Sequence, residues 1–267
     1  MVDLMKGKRG LIMGVANDHS IAWGIAKKLA ETGAELAFTY QGDAVEKRVR
    51  SLTSTLSPSV NEKLIMPCDV ENLDSVDTVF STVKEVWGKL DFVVHAIGFS
   101  DKNQLKGRYF DVTTRENFER TMVISCFSFT EIVQRAVPLM AEGGSIITLT
   151  YNGSQRVMPN YNVMGLAKAA LEASVRYLAA DLGEQGVRVN AISAGPVRTL
   201  AGAGIGDARH MFNFQKAHAP LRRSTTIEDV GGSALYLLSD LSQGVTGEVH
   251  FVDSGYNIIC MPRVEHL

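Results

Sequence analysis

The chain is poor in cysteine, has no excess of charge of one sign and carries no long apolar run. Each shortage removes a class of function. Only three cysteines occur in 267 residues, Cys68, Cys126 and Cys260. They form neither metal-ligand pairs nor a disulfide framework, which favours a reducing, cytoplasmic setting. The formal net charge is −2 and no block of like charge makes a tail, so no basic footprint for nucleic acid is present. The apolar run before Gly14 is too short to span a membrane and lacks a signal-peptide layout. No helix-turn-helix, zinc spacing or hydrophobic span points to nucleic acid or membrane. Nor does a repeat, a low-complexity segment or a Pro/Gly/Ser linker divide the sequence. What remains is 45% hydrophobic and 21% charged, the composition of one soluble α/β domain over residues 1–267.

Short apolar runs alternate with longer amphipathic ones. Strands are predicted for GLIM before Gly14, AELAFTY before Gln41, KLIMP before Cys68, DFVVHAI before Gly98, SIITLTY ending at Tyr151, VRVNAIS before Ala194, and EVHFVD near the end. Helical patterns fill most gaps: SIAWGIAKKLAETG, SVDTVFSTVKEVWG, residues 116–140, and YNVMGLAKAALEASVRYLAADLG. Gly33, Gly88 and Gly183 read as helix stops. Apolar strands separated by helices imply a doubly wound parallel sheet of about seven strands, buried on both faces. Ligands of such sheets bind beyond the carboxyl ends of the strands. Gly14, Gln41, Asp69, Gly98 and Tyr151 are therefore expected to line one crevice.

The first strand-to-helix turn, GVANDHSIAWG, has glycines at Gly14 and Gly24 but not the tight G-x-G-x-x-G spacing. A helix N-terminus there still offers unpaired N–H groups and a positive dipole end to a pyrophosphate. His19 has no visible partner and reads as a solvent-facing loop residue. The second strand runs into Tyr40-Gln41-Gly42-Asp43. An amide at Gln41, a carboxylate at Asp43 and no basic residue before Lys47 favour NADH over NADPH. In Cys68-Asp69-Val70, the carboxylate suits an adenine amino group and Val70 suits the ring. A plain turn Asp fits the same local sequence equally well.

The most informative pattern is Tyr161 and Lys168, seven residues apart in NYNVMGLAKAAL. That is close to two helical turns, so both side chains are expected on one helix face. Many Rossmann-type carbonyl reductases place Tyr four residues before Lys, where this chain has Met164. Moving the phenol back three residues displaces it by roughly 4.5 Å along a helix. When a ketone is reduced, negative charge develops on the oxygen bonded to the carbon that accepts hydride. In a conjugated enoyl thioester, hydride adds at C3 and charge appears farther along, on the thioester oxygen. The displaced phenol fits the second reaction.

Together these residues resemble the bacterial enoyl-[acyl-carrier-protein] reductases, a divergent branch of the short-chain dehydrogenase/reductases. The resemblance runs through Gly14, Ser20-Ile21-Ala22 and Gly24, Gln41, Cys68-Asp69-Val70, HAIGF from His95, Tyr151 and PNYNVMGLAKA from Pro159. It continues through NAISAGPVRTLA from Asn190, TIEDVG from Thr226 and the final GEVHFVDSG, and so covers essentially the whole chain. The separating motif is Tyr161 and Lys168, with Tyr151 ten residues upstream.

The resemblance implies an NADH-dependent, cytoplasmic, homotetrameric enzyme of type II fatty acid synthesis. Its substrate is an enoyl group on acyl carrier protein. It makes Gly14, Ser20, Ile21, Gln41, Asp69, Val70, Ile97, Lys168, Val197, Arg198, Thr199, Leu200 and Ala201 cofactor contacts, and places Ser100 at the substrate site. Tyr151, Tyr161 and Lys168 become the catalytic set, Tyr161 holding the thioester oxygen and Lys168 the nicotinamide ribose. Two departures from the family pattern stand at its edge: small residues Ala96 and Ser100, and Asn152, where an apolar residue is expected on the pocket rim.

Residues 200–218 resemble the family's mobile substrate-binding segment. Gly202, Gly204 and Gly206 permit motion, and Ile205, Met211, Phe212 and Phe214 suit a fatty chain. An ordinary surface helix with a buried stripe fits the same pattern. Met164, Phe99 and Met122 are candidate pocket walls, and Arg222 and Arg223 candidate contacts for an acidic carrier. The segment's shortness argues against very long acyl chains. Two alternatives are weaker. A dehydrogenase for a ketone or alcohol needs Tyr where Met164 stands, and a non-catalytic nucleotide-binding regulator has no need of Tyr151, Tyr161 and Lys168 together.

Overall fold

A computed structural model describes residues 3–199 and 208–261. Its seven strands are β1 (Arg9–Met13), β2 (Glu35–Tyr40), β3 (Ile65–Pro67), β4 (Phe92–His95), β5 (Gly144–Thr150), β6 (Val187–Ala194) and β7 (Val249–Val252). Each matches a run predicted from the sequence, three of them (β1, β5 and β6) reaching one residue beyond it. They form one sheet in the order β3-β2-β1-β4-β5-β6-β7, and every pairing is parallel. Ile12 of β1 pairs with Phe38 on one side and Val94 on the other. Strand order reverses between β1 and β4, and a ligand crevice opens at that point in open α/β sheets.

Strand alternation sorts the apolar residues onto two faces. Leu11, Met13, Val93, Ile146 and Val189 pack on one face. Ile12, Phe38, Val94, Ile147 and Ile192 pack on the other. The first face is covered by α3 (Leu73–Trp87), α5 (Arg115–Met122), α6 (Ser128–Ala136) and α7 (Val163–Leu182). The second is covered chiefly by α1 (Ile21–Ala30) and α9 (Ile227–Leu238). α8 (Ala208–His218) reaches the site, a short α4 (Tyr109–Val112) precedes α5, and α2 (Asp43–Thr53) follows β2. Side chains such as Phe38 and Phe92, fully buried, each contribute on the order of 1.5–3 kcal/mol by leaving water.

Local chemistry explains the element ends. Asn72 caps α3 through its side chain, and Gly88 closes the helix in the left-handed conformation. Thr226 and Asp229 form a reciprocal capping box on α9. Gly183 caps the end of α7 as expected, in a right-handed conformation that leads into a 3-10 turn closed by left-handed Gly186. One glycine expectation needs correction. Gly24 belongs to α1, not to a phosphate loop: a Cβ there would lie 2.5 Å from the Ile227 carbonyl oxygen of α9. It is glycine so that two helices can touch.

The helical run Arg115–Leu139 is, by length and composition alone, apolar enough to cross a membrane. Half of that window is buried against the sheet, the disposition of a core helix. Within it, Val123–Phe127 is a π-helical turn between α5 and α6. Met122, a candidate pocket wall from sequence, packs against the core instead.

Candidate active site

The cavity at the reversal point measures about 430 Å³. One wall comes from the turn after β1, where Gly14 has φ +100° and a Cβ would sit 2.1 Å from the Ala96 carbonyl oxygen. Only glycine lets the chains leaving β1 and β4 pass this closely. Ser20, Ile21 and Ala22 open α1 beside it. Ser20 Oγ accepts from the Ala16 and Asn17 amides at 3.0 and 3.1 Å, folding the loop back over the helix start. Its N-terminal amides and positive dipole end thus face the cavity. Close backbone approach, a helix N-terminus and a lysine head deeper in the cavity fit a dinucleotide.

The opposite wall carries the polar groups expected to act. Lys168 projects from α7 and is nearly buried; its Nζ donates to the Leu149 carbonyl at 2.9 Å. Burial lowers its pKa to about 8, against the opposing influence of Cys126 and Glu172. Tyr161 is also buried. Burial, then Tyr151 and Glu172, push its pKa upward, so the phenol keeps its proton and can donate it in a hydrogen bond. Tyr151 follows β5 and meets Tyr161 edge-on, with ring centroids 5.0 Å apart at 71°. Its hydroxyl is buried without a hydrogen-bond partner. Burial, then Tyr256 and Asp253, raise its pKa too.

The geometry revises why Tyr161 and Lys168 converge. Tyr161 is not on the helix: α7 begins at Val163, and Asn160 and Asn162 flank the tyrosine with φ of 57° and 39°. A turn, not two helical turns, delivers the ring. Gly153 and Gly165 make room for it, since a Cβ at Gly153 would lie 2.5 Å from Tyr161 Cδ1 and one at Gly165 would lie 2.8 Å from the Gly153 carbonyl. Met164, four residues before Lys168, lies in the first turn of the helix and lines the cavity with a thioether.

Among the other predicted contacts, Ile97, Ser100, Val197 and Thr199 line the cavity. Ser100 Oγ is committed to α5, accepting from Asn117 Nδ2 at 3.1 Å and Thr121 Oγ1 at 2.9 Å. Arg198 is outside the wall, its guanidinium 5.7 Å from the Phe212 ring centroid. Leu200 and Ala201 lie outside the described residues, as do Gly202, Gly204, Ile205 and Gly206. Of the predicted acyl-chain segment, Met211 and Phe212 of α8 line the cavity. Phe214 instead stacks on His218 at 4.0 Å.

The single crevice expected from the strand ends is not one cavity. Gln41, Asp69 and Val70 follow β2 and β3, which are the outer strands on that side of the sheet, so they stand at the same edge but beyond the cavity wall. Gln41 is exposed. Asp69 Oδ1 accepts from the Glu71 amide at 2.9 Å, the turn role left open by the sequence. Val70 lines a shallow neighbouring groove with Glu71 and Arg120. Arg223 forms a two-pronged pair with Asp229, and Arg222 donates to the Ala217 carbonyl. His19 is exposed on its loop.

Alignment with known proteins decides the family. The sequence model of the family described as Enoyl-(Acyl carrier protein) reductase matches residues 14–257. The chain belongs to that family. It is 72% identical over 267 residues to Enoyl-[acyl-carrier-protein] reductase [NADH] 2 of Rhizobium meliloti, covering 100% of this chain and 98% of that protein. The crystal structure of the Anaplasma phagocytophilum reductase in complex with NAD superposes with a TM-score of 0.94 at 57% identity, covering 99% of each chain. The Bacillus cereus reductase, solved with NADP+ and indole naphthyridinone, gives a TM-score of 0.94 at 50% identity over 98% of this chain and 100% of that one.

Several residues of this family member's site escaped the sequence reading. Ser125, on the π turn, accepts from the Phe99 amide and donates to the Phe99 carbonyl, both at 2.9 Å, fixing a cavity wall. Nothing local in VISCF marks a π turn. Glu172 was within reach: it lies four residues after Lys168, on the same helix face. The rim residue Asn152 is buried and starts a 3-10 turn, with its Oδ1 unpartnered.

Proposed function

We infer that this chain is an NADH-dependent enoyl-[acyl-carrier-protein] reductase of fatty acid synthesis, with Tyr161 and Lys168 as its acting pair. The observation that carries the assignment of roles is the pairing of a buried, protonated Tyr161 with buried Lys168 in one cavity, while Met164 fills the ketone reductases' tyrosine position. A thioether there has no proton to give. Bound NADH supplies the hydride that adds to C3 of a trans-2-enoyl thioester. The enolate left on the substrate would carry its charge on the thioester oxygen, where the Tyr161 hydroxyl donates a hydrogen bond, until C2 takes a proton delivered from solvent. Lys168 holds the nicotinamide ribose hydroxyls, fixing the donor's orientation, and its charge favours the enolate. Tyr151 closes the pocket against Tyr161 and keeps water from that side. The α1 N-terminus and Gly14 hold the pyrophosphate, with Ser20, Ile21, Ile97, Val197 and Thr199 around the cofactor and Gln41, Asp69 and Val70 at its adenosine end.

The finer reading is a single domain whose residues 200–218 move to admit and cover the acyl chain. Met211 and Phe212 in the cavity wall support it. A homotetramer is our reading from the family resemblance, supported by exposed apolar side chains at Phe127, Leu166, Ile258 and Met261. A cytoplasmic location is supported by three free cysteines. The test follows loss of reduced-nicotinamide absorbance with crotonyl and acetoacetyl thioesters, using NADH and NADPH in turn. Consumption with the enoyl substrate and NADH is expected; consumption with the keto substrate alone would overturn the assignment.

A further inference from the structure

We propose that Glu172 is a positioning residue of this site: its buried carboxylate clamps both sides of Tyr151–Gly153 and thereby sets the two tyrosines against Lys168. The inference rests on the reading of Tyr161 and Lys168 as the acting pair.

A carboxylate does not stay inside a protein without partners. Glu172 is 5% exposed, and its oxygens are met by three donors from one short stretch. Thr150 Oγ1 donates at 2.7 Å and Ser154 Oγ at 2.5 Å, both to Oε1. Gln155 Nε2 approaches Oε2 at 3.5 Å. The donors flank the segment: Thr150 is the last residue of β5, immediately before Tyr151, while Ser154 ends the 3-10 turn and Gln155 follows it. One carboxylate on α7 therefore holds both sides of the Tyr151–Gly153 stretch.

That stretch has no slack toward Tyr161. The Gly153 Cα faces the Tyr161 ring so closely that a Cβ would overlap it, and the Gly153 carbonyl rests against Gly165 of α7. Moving the turn moves Tyr151 directly and Tyr161 through ring contact. The pair of phenols is thus referenced to the same helix that carries Lys168, one turn before Glu172.

The carboxylate also bears on Lys168 by charge. Beside Tyr151 and Tyr161, whose raised pKa values keep them protonated, three titratable groups bear on that ammonium: Glu172 on α7, Cys126 on the π turn and His95 on β4. His95 is neutral and hydrogen-bonded at both ring nitrogens, and Cys126 is a buried thiol whose pKa is raised. Glu172 is the one carboxylate of the set. Its removal leaves Lys168 with desolvation less opposed, so the ammonium gives up its proton at lower pH.

Two substitutions separate geometry from charge. Glu172→Gln keeps an Oε1 able to accept from both hydroxyls but carries no charge. Direct fluorescence titration of NADH binding between pH 6 and 10 is expected to show its alkaline limb shifted down by roughly half a pH unit or more. Glu172→Ala removes the clamp. With folding checked by circular dichroism, kcat for crotonyl thioester is expected to fall by about tenfold or more at pH 7, since small misplacements cost orders of magnitude. Ser154→Ala, losing one donor only, is expected to lower kcat while leaving the limb of NADH binding in place. An unmoved limb in Glu172→Gln overturns the charge effect, and wild-type kcat in a folded Glu172→Ala overturns the clamp. Tyr161→Phe run alongside distinguishes the two readings. If it turns over normally the acting pair is wrong; if it is inactive while Glu172→Ala is not, only the role of Glu172 fails.

Discussion

Tyr151 and Tyr161 meet edge to face at 5.0 Å, yet the first follows a strand and the second sits in a turn ahead of a helix. Aromatic pairs in this arrangement hold each other's orientation. Each ring blocks the other's escape from the cavity. Their hydroxyls nevertheless have different surroundings, which makes the roles separable.

Tyr161→Phe removes the phenol that, in our proposal, meets the thioester oxygen. We expect kcat for enoyl reduction to fall by about a hundredfold or more, while the NADH dissociation constant changes little because the ring stays in place. Stopped-flow turnover beside an equilibrium NADH titration checks both halves. Normal turnover by the variant removes Tyr161 from the chemistry.

Tyr151→Phe takes away a buried hydroxyl that bonds to nothing. Losing an unsatisfied polar atom costs no hydrogen bond, so thermal stability is expected to hold or rise slightly. The kcat loss should be smaller than for Tyr161→Phe. A marked drop in Tm would show that the hydroxyl is satisfied in solution.

Gly153→Ala puts a methyl group 2.5 Å from the Tyr161 ring. The ring or the turn must give way. The expected signature is a fall in kcat of about tenfold or more, with NADH binding near the parent value because Gly14, Ser20 and Lys168 are untouched. Parent-like kcat would mean that the Tyr161 ring tolerates displacement.

His95 gives a pH signature in stability. It is fully buried between Thr148 and Ser128, and burial, with Lys168 adding to it, lowers its pKa to about 3. In the unfolded chain an imidazole titrates near pH 6.5. Its contribution is therefore complete above pH 6.5 and is lost as pH falls toward 3, at about 1.4 kcal/mol per pH unit. Urea unfolding at pH 7.5 and 5.5 should show a steeper loss for the parent than for His95→Asn. Equal slopes would contradict the depressed pKa.

The pattern of apolar runs along the chain already contained the sheet. Seven predicted strands are seven observed strands, because β-branched and aromatic runs such as LAFTY and IITLT have nowhere to go except a doubly covered sheet. Gly14 was legible as the turn glycine after the first strand, but that it must clear the Ala96 carbonyl was not. Tyr161 and Lys168 were legible as a pair. The mechanism of their meeting was not, since a helical period was read through Asn160 and Asn162, whose positive φ values break it. Gln41 and Asp69 were assigned to the same crevice because position after a strand is local information, whereas distance across the sheet is not.

What the sequence alone determined is therefore the architecture, the edge of the sheet at which the cavity opens and the types of side chain that meet there. These depend on periodicity, glycine placement and residue type, all of them properties of short stretches. Tertiary structure alone decided that Ser100 is tied to α5, that Arg222 and Arg223 are already engaged, and that Glu172 accepts from both sides of the turn beneath the tyrosines. Each of these is a contact between segments distant in the chain or turned toward one another by a loop, and hydrogen bonds of that kind are settled only when the packed layers bring donor and acceptor within about 3 Å.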